Sequence, residues 1–155
     1  MNRSIEEQLQ TEGFYVSTTV GTSMWPMLRN RCDRVLIRPI EPGERLSRYD
    51  LPLYLRPDGK YVLHRVIDVQ EDCYVIRGDN TYVKEYIPKE WILGVMTEFW
   101  RGDKHVAADS RTYRLYARVW RAIYPLRWVV RKLWFTCYGV YVRLRARFVR
   151  KHTDA

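Results

Sequence analysis

The sequence has few cysteines and no long apolar segment. Its three cysteines, Cys32, Cys73 and Cys137, lie far apart and form no C-x-x-C pair. This spacing argues against a zinc site or a disulfide framework and predicts reduced thiols in a cytoplasmic setting. The longest charge-free apolar segment near the C-terminus, 133–142, is shorter than the roughly twenty residues that span a bilayer. Since residues 1–10 are polar and acidic, we expect neither a signal peptide nor a transmembrane helix.

Acidic residues are also missing from one end of the chain. Residues 1–109 contain 15 basic and 17 acidic residues, a net charge of −2, whereas residues 110–155 contain 12 basic residues and one acidic residue, a net charge of +11. The overall charge of +9 therefore does not describe a generally basic, nucleic-acid-binding domain. We predict two domains, 1–109 and 110–155, of which only the second is basic.

The first domain is predicted to be mainly β. Ser4 and Glu7 have the spacing of a capping box, which predicts a short helix over 5–12 that ends at Gly13. Short segments rich in Val, Ile, Tyr and Leu follow, separated by turn-forming residues such as those at 56–60, and this pattern predicts a small antiparallel β domain. The expected strands are Phe14–Val20, Arg34–Arg38, Leu53–Leu55, Tyr61–Val69, Cys73–Arg77 and Ile92–Phe99.

The second domain is predicted to be a helical tail rich in basic and aromatic residues. Arg114, Arg118 and Arg121 recur at intervals of four and three, which places them on one helical face. Pro125 should kink or end that helix, so a second helix is expected over 126–150. Three interpretations remain open: packing on the first domain or on another copy, binding to an anionic membrane surface, and binding to nucleic acid or an acidic peptide.

Several motifs occur in a defined order in the first domain. They are G-T-S-M-W-P-M-L at 21–28, L-H-R-V-I at 63–67 and R-G-D-N at 77–80. Their order and spacing resemble those of the type I signal peptidase and LexA-like serine peptidase superfamily, over roughly residues 13–97. The resemblance implies a small antiparallel β catalytic domain. It also implies a serine endopeptidase that cleaves a leader or signal segment from a peptide or protein, such as a ribosomally made precursor peptide.

The resemblance implies that Ser23 is the nucleophile and His64 its base. Bacterial signal peptidases and LexA-like proteins have a lysine where this chain has His64, and a histidine there is typical of the histidine-type branch. A serine hydroxyl needs a positioned base, so His64 would take the Ser23 proton and return it to the leaving amine. The Ser23 backbone N–H is the expected oxyanion donor.

Two acidic residues are candidates for the third catalytic position. Asp79 belongs to the R-G-D-N motif, and Glu85 stands about where histidine-type enzymes carry their triad aspartate. Asp79 has an alternative role, either in supporting the loop that carries Glu85 or in contacting Arg65. Met24 and Pro26 are expected to bind the substrate beside the scissile bond. No metal and no cofactor are expected.

The chain also departs from the families that it resembles. No membrane anchor is expected before Ser23, and no alanine for self-cleavage occurs before Ala107. We therefore expect a stand-alone, cytoplasmic relative that acts on a peptide or protein substrate, and a peripheral location on the inner membrane face stays open. The alternative is a non-catalytic module that keeps the peptidase fold and binds a peptide or nucleic acid. No oligomeric state is predicted.

Overall fold

The computed structural model of the chain describes residues 4–153, beginning with the cap of a short helix. Helix α1 spans Ile5–Glu12. The Glu7 N–H donates to the Ser4 hydroxyl at 3.1 Å, and the Ser4 N–H donates to the Glu7 carboxylate at 3.1 Å. The helix stops at Gly13, whose φ of 75° lies in the left-handed region that favours glycine. The predicted helix and its capping box are confirmed.

After α1 and before the helices near the C-terminus, the described residues form nine β-strands. Every strand pairing is antiparallel. They are β1 (Tyr15–Thr18), β2 (Arg34–Pro39), β3 (Pro52–Leu55), β4 (Tyr61–Leu63), β5 (Arg65–Val69), β6 (Cys73–Arg77), β7 (Glu85–Pro88), β8 (Ile92–Arg101) and β9 (Lys104–Ala107). The fold is therefore mainly β, as the sequence predicts.

The larger sheet is built around β8. Its strand order is β1-β2-β8-β3-β4, and β9 also pairs with β8. The register shifts between Leu36 and Ile37 and again between Leu53 and Tyr54, and such irregularities bend and twist a sheet. The sheet is thus curled, with β1 and β4 at the two ends of its strand order. The turn between β3 and β4 closes with an Arg56 N–H to Lys60 carbonyl bond of 3.0 Å, which confirms the turn predicted at 56–60.

The smaller sheet has the order β5-β6-β7. The prediction of a single strand over Tyr61–Val69 is wrong, because this segment divides between the two sheets. Leu63 pairs with Leu53 in the larger sheet, whereas Arg65 pairs with Arg77 in the smaller one. His64 lies between them, at the point where the chain passes from one sheet to the other.

Two strands, β7 and β9, are missing from the sequence-based prediction. Strand β7 ends at Pro88, which pairs with Cys73 at the edge of the smaller sheet. Proline is tolerated on an edge strand because its missing N–H is not required by a neighbour. Strand β9 pairs with the far end of β8, from Glu98↔Ala107 to Arg101↔Lys104, and its short polar sequence carries little strand signal.

Two groups of buried apolar side chains form the core. The first joins α1, the loop after β1 and the larger sheet, and the second lies mainly against the smaller sheet. Members of the first are Leu9, Met24, Met27, Leu28, Val35, Ile37, Leu51, Leu53, Met96, Phe99 and Tyr113. Members of the second are Leu46, Tyr54, Val66, Tyr74, Ile76, Ile87 and Val95.

The predicted tail begins with helix α2, Arg111–Ala122. The Tyr113 N–H donates to the Ser110 hydroxyl at 3.3 Å at the start of this helix. Tyr113 and Ala117 are buried, whereas Leu115 is 63% exposed. The chain divides into two compact units, residues 1–118 and 119–155, so the first two turns of α2 lie in the same unit as the sheets.

A second helix, α3, spans Tyr124–Thr153, and the prediction of two helices is confirmed. Pro125 is the second residue of α3, where a missing N–H costs no helical hydrogen bond. Within residues 4–153, no helix is both long enough and apolar enough to cross a membrane.

Candidate active site

Ser23 and His64, the predicted catalytic pair, line the same cleft in the first unit. The cleft has a volume of about 500 Å³, and residues from both β1 and β4 border it. Its floor is largely apolar and includes Leu28, Val35, Ile37 and Leu53. Of the two predicted substrate-binding residues, Met24 lines the cleft, whereas Pro26 is not among its lining residues.

Ser23 lies on the loop between β1 and β2, which is held together at its base. The Asp33 carboxylate is fully buried and accepts hydrogen bonds from the Arg29 N–H at 2.6 Å and from the Arg29 guanidinium at 2.8 Å. The Thr19 N–H donates to the Asp33 carbonyl at 2.9 Å. Burial raises the pKa of Asp33, but the hydrogen bonds from Arg29 outweigh it and keep the pKa below its usual value. An ionised carboxylate thus stabilises the loop that presents Ser23.

The Ser23 main chain is bound to the R-G-D-N motif. The Asn80 N–H donates to the Ser23 carbonyl at 2.7 Å, and the Asn80 side chain donates to the Thr22 carbonyl at 3.2 Å. Within residues 4–153, neither the hydroxyl nor the N–H of Ser23 bonds to another protein group, and no hydrogen bond joins Ser23 to His64. Both Ser23 donors therefore remain available to a molecule in the cleft.

His64 is buried and paired with one of the two predicted acids. Its Nδ1 lies 3.0 Å from Glu85 Oε1, and the residue is only 5% exposed. An ionised carboxylate can only accept a hydrogen bond, so Nδ1 carries the proton and Nε2 has a free lone pair. Burial lowers the pKa of His64, and the nearby Glu85 charge opposes this only in part. The imidazole is therefore neutral at pH 7 and suited to accept a proton.

Glu85 is held by two further side chains that the sequence-based prediction missed. The Arg56 guanidinium donates to Glu85 Oε2 at 2.8 Å, and the hydroxyl of the fully buried Tyr54 donates to the same oxygen at 3.0 Å. Burial raises the pKa of Glu85, but these two hydrogen bonds and the positive charge of Arg56 hold it below its usual value. Glu85 is therefore ionised opposite His64.

Asp79, the other predicted acid, pairs with Arg65 rather than with His64. Arg65 donates from Nε to Asp79 Oδ1 at 2.7 Å and from Nη2 to Oδ2 at 2.8 Å. Both side chains are 3% exposed. The contact with Arg65 that the sequence suggested as an alternative is thus present, and Glu85 is the acid that touches the imidazole.

Gly78 occupies the space between the two predicted catalytic residues. A Cβ atom added there would lie 2.7 Å from the Ser23 carbonyl oxygen and 3.0 Å from His64 Nε2. Any larger residue would push either the loop that carries Ser23 or the imidazole away. The glycine of the R-G-D-N motif therefore leaves room beside it for both the Ser23 carbonyl and His64 Nε2.

A weak signal for Tyr54 and Arg56 was present in the sequence. They stand two residues apart on β3 and its continuation, so they project to the same side. In the hairpin, Tyr54 pairs with Val62, close to His64. Their contact with Glu85 spans 31 and 29 residues along the chain, and a strand pattern alone does not show a pairing over that distance.

Comparison with known proteins does not place the chain in a family. No protein-family model matches the sequence, and no curated protein matches it. Among residues 4–153, no group of three or more His, Cys, Asp or Glu side chains could hold a metal ion. Function is therefore inferred from the geometry of the cleft.

We predict that Gly78→Ala disrupts the cleft because the new methyl group meets backbone at the Ser23 carbonyl. Overpacking of this kind lowers the free energy of unfolding by about 1–3 kcal/mol, measurable by urea denaturation. Gly139→Ala is the control, since a Cβ there meets no atom within 4 Å. Equal stability of the two variants would contradict the close packing at Gly78.

Proposed function

We propose that the chain is a serine endopeptidase of the signal peptidase and LexA-like type, in its histidine branch. It cleaves a leader or signal segment of a peptide or protein. The observation that carries the proposal is the His64–Glu85 contact of 3.0 Å at a cleft that Ser23 also lines. The mainly β fold, with its curled antiparallel sheet, supports the same assignment.

In the proposed reaction, the Ser23 hydroxyl oxygen attacks the scissile carbonyl carbon while His64 Nε2 takes the hydroxyl proton. The Ser23 N–H donates to the oxyanion that forms, and ionised Glu85 stabilises the imidazolium. The carbon–nitrogen bond then breaks, His64 returns the proton to the leaving amine, and an acyl ester remains on Ser23. Water, deprotonated by His64, hydrolyses the ester and releases the second product.

The substrate would bind as an extended strand. Strands β1 and β4 are the end strands of the larger sheet, and both border the cleft. End strands can form main-chain hydrogen bonds with an added peptide. Met24 and the apolar floor would then receive side chains beside the scissile bond. A module that only binds peptides would use the same edges but would not need the acid-held histidine.

We predict that Ser23→Ala and His64→Ala each lower the cleavage rate of a precursor peptide by about 1,000-fold or more, because each removes a reacting group. The matched controls are Ser47→Ala, an exposed serine outside the cleft, and His105→Ala. His105 also contacts a glutamate, with its Nε2 at 2.7 Å from Glu98, but on the protein surface.

Mass spectrometry of the peptide products would measure cleavage and locate the cut bond, and circular dichroism would confirm that each variant folds. Unchanged cleavage by both active-site variants would contradict the assignment. Peptide binding without cleavage by the unaltered protein would instead support the non-catalytic alternative.

We predict that kcat/KM rises with pH through an apparent pKa below 6.5 and then stays level through neutral pH. Burial lowers the pKa of His64 below its ordinary value of 6.5, and only the neutral imidazole accepts the Ser23 proton. Glu85→Gln should lower the rate and move the acid limb to still lower pH, since the Glu85 charge raises the His64 pKa. A rate profile with its limb above pH 7, or one that Glu85→Gln leaves unchanged, would exclude this pair.

We further propose that helix α3 binds an anionic membrane surface and thereby concentrates the peptidase there. Exposed aromatic side chains, including Trp128, Trp134 and Tyr138, lie on the same helix as Arg131 and Lys132, in a segment without acidic residues from 111 to 151. Aromatic rings suit the headgroup region of a bilayer. Each basic residue near an anionic leaflet contributes roughly 1 kcal/mol.

We predict that the full chain sediments with vesicles containing anionic phospholipid at low salt but not with purely zwitterionic vesicles. Replacing Arg131 and Lys132 by Glu should prevent sedimentation, whereas the same charge change at Arg45 and Lys84, exposed residues of the first unit, should not. Failure to sediment with anionic vesicles would refute this part of the proposal. Binding to RNA or self-association of the chain would then favour the other two interpretations of the tail.

A further inference from the structure

Arg65, the residue after His64, has every one of its side-chain donors paired. A guanidinium carries five N–H groups, and the contacts of Arg65 equal that number. Two go to the Asp79 carboxylate and one to the Met27 sulfur at 3.1 Å. The other two go to the Tyr49 carbonyl at 3.1 Å and to the Tyr113 hydroxyl at 2.9 Å. A buried cation with a full set of acceptors is held in one orientation.

Helix α2 supplies part of this environment. The Tyr113 hydroxyl accepts from Arg65 and donates to the Tyr49 carbonyl at 2.9 Å, so one oxygen atom serves both. The Tyr116 hydroxyl donates to Asp79 Oδ2 at 3.3 Å. The rings of Tyr113 and Tyr116 also lie 5.3 and 5.9 Å from the guanidinium carbon, within the range of cation–π attraction.

Two of the Arg65 partners, Met27 and Asp79, belong to segments that border the cleft. Met27 lies on the loop that presents Ser23, and Asp79 follows Gly78, which packs between the Ser23 carbonyl and His64 Nε2. Tyr49 has a φ of 83°, an unusual conformation for a residue other than glycine that persists only where surrounding contacts hold it. A shift of the guanidinium would therefore move atoms of both the loop that presents Ser23 and the R-G-D-N motif.

We propose that Tyr113 and Tyr116 of α2 are positioning residues of the peptidase: they hold the Arg65–Asp79 pair and, through it, keep His64 and Gly78 in place against Ser23. This inference rests on the proposed function for its catalytic consequence. The first two turns of α2, which composition assigns to a basic tail, thus complete the support of the active site.

The Tyr113 hydroxyl both accepts a hydrogen bond from Arg65 and donates one to the Tyr49 carbonyl. Burial raises its pKa to about 12, so it remains a protonated donor to the Tyr49 carbonyl. Removing the oxygen leaves one N–H of a buried cation without an acceptor, which is costly in a protein interior. The guanidinium would turn toward another acceptor and pull Asp79, and with it Gly78, from their positions.

The test compares Tyr113→Phe and Tyr116→Phe with Tyr74→Phe in the full chain. Tyr74 is a matched control because it is also buried and its hydroxyl accepts a hydrogen bond at 3.0 Å, but from the Leu46 N–H. Three measurements are made on each variant: the thermal midpoint, the rate at which a fluorophosphonate labels Ser23, and the NMR titration of the His64 ring with its Nδ1 proton resonance.

We expect Tyr113→Phe to slow labelling by about 10- to 100-fold, as a misplacement of about 1 Å does in enzymes, and to shift the His64 titration and the Nδ1 proton resonance. Tyr116→Phe, which loses a longer hydrogen bond, should change the labelling rate and the His64 signals in the same direction but to a smaller extent. Tyr74→Phe should lower the thermal midpoint to a similar extent while leaving labelling and His64 unchanged.

Equal effects of Tyr113→Phe and Tyr74→Phe on labelling and on His64, or no effect of either, would overturn the inference. If Tyr113→Phe does not fold, the same comparison between Tyr116→Phe and Tyr74→Phe decides whether the inference stands. If the unaltered protein is not labelled at all, the proposed peptidase activity fails. The His64 resonances then still show whether α2 positions this residue, so the two failures are distinguishable.

Discussion

The buried ion pair between Arg65 and Asp79 is the interaction on which the arrangement of the cleft depends. Removing one partner of such a pair leaves an uncompensated charge in the interior, which typically costs about 3–5 kcal/mol. Both carboxylate oxygens of Asp79 and all five N–H groups of the Arg65 guanidinium form hydrogen bonds. It joins the start of β5, the R-G-D-N motif and the loop that carries Ser23, so these three segments cannot move independently.

Two opposing electrostatic effects set the pKa of His64. Burial favours the neutral imidazole, while Glu85 favours the imidazolium. The first effect is larger in the resting state, which leaves Nε2 free to accept a proton. Arg56 and Tyr54 keep Glu85 ionised and oriented, so its charge is in place when a proton reaches the ring. In the proposed reaction, these three side chains would therefore stabilise His64 both before and after it accepts the proton.

The sequence predicted the features that depend on local pattern, and it missed most of those that depend on contacts between distant segments. The capping box at Ser4, the hairpin turn at 56–60 and the mainly β class follow from neighbouring residues. The division of 61–69 between two sheets does not, because it is decided by pairing partners elsewhere in the chain. The order and spacing of the motifs predicted Ser23 and His64 as a pair. The choice between Asp79 and Glu85 required the contacts of Arg65 and Arg56.

The boundary that the net charge indicates lies before helix α2, whereas the boundary between the two compact units lies within α2. The net charge of a segment includes every residue in it. Arg111, Arg114 and Arg118 therefore make the start of the helix no less basic than the rest of the tail. Packing depends only on the side that is buried, which here consists of Tyr113 and Ala117. A helix can therefore present arginines to solvent and at the same time place tyrosine hydroxyls on a buried guanidinium. For residues 111–118, the spacing of Tyr113 and Tyr116 carries more information about packing than the net charge of the segment.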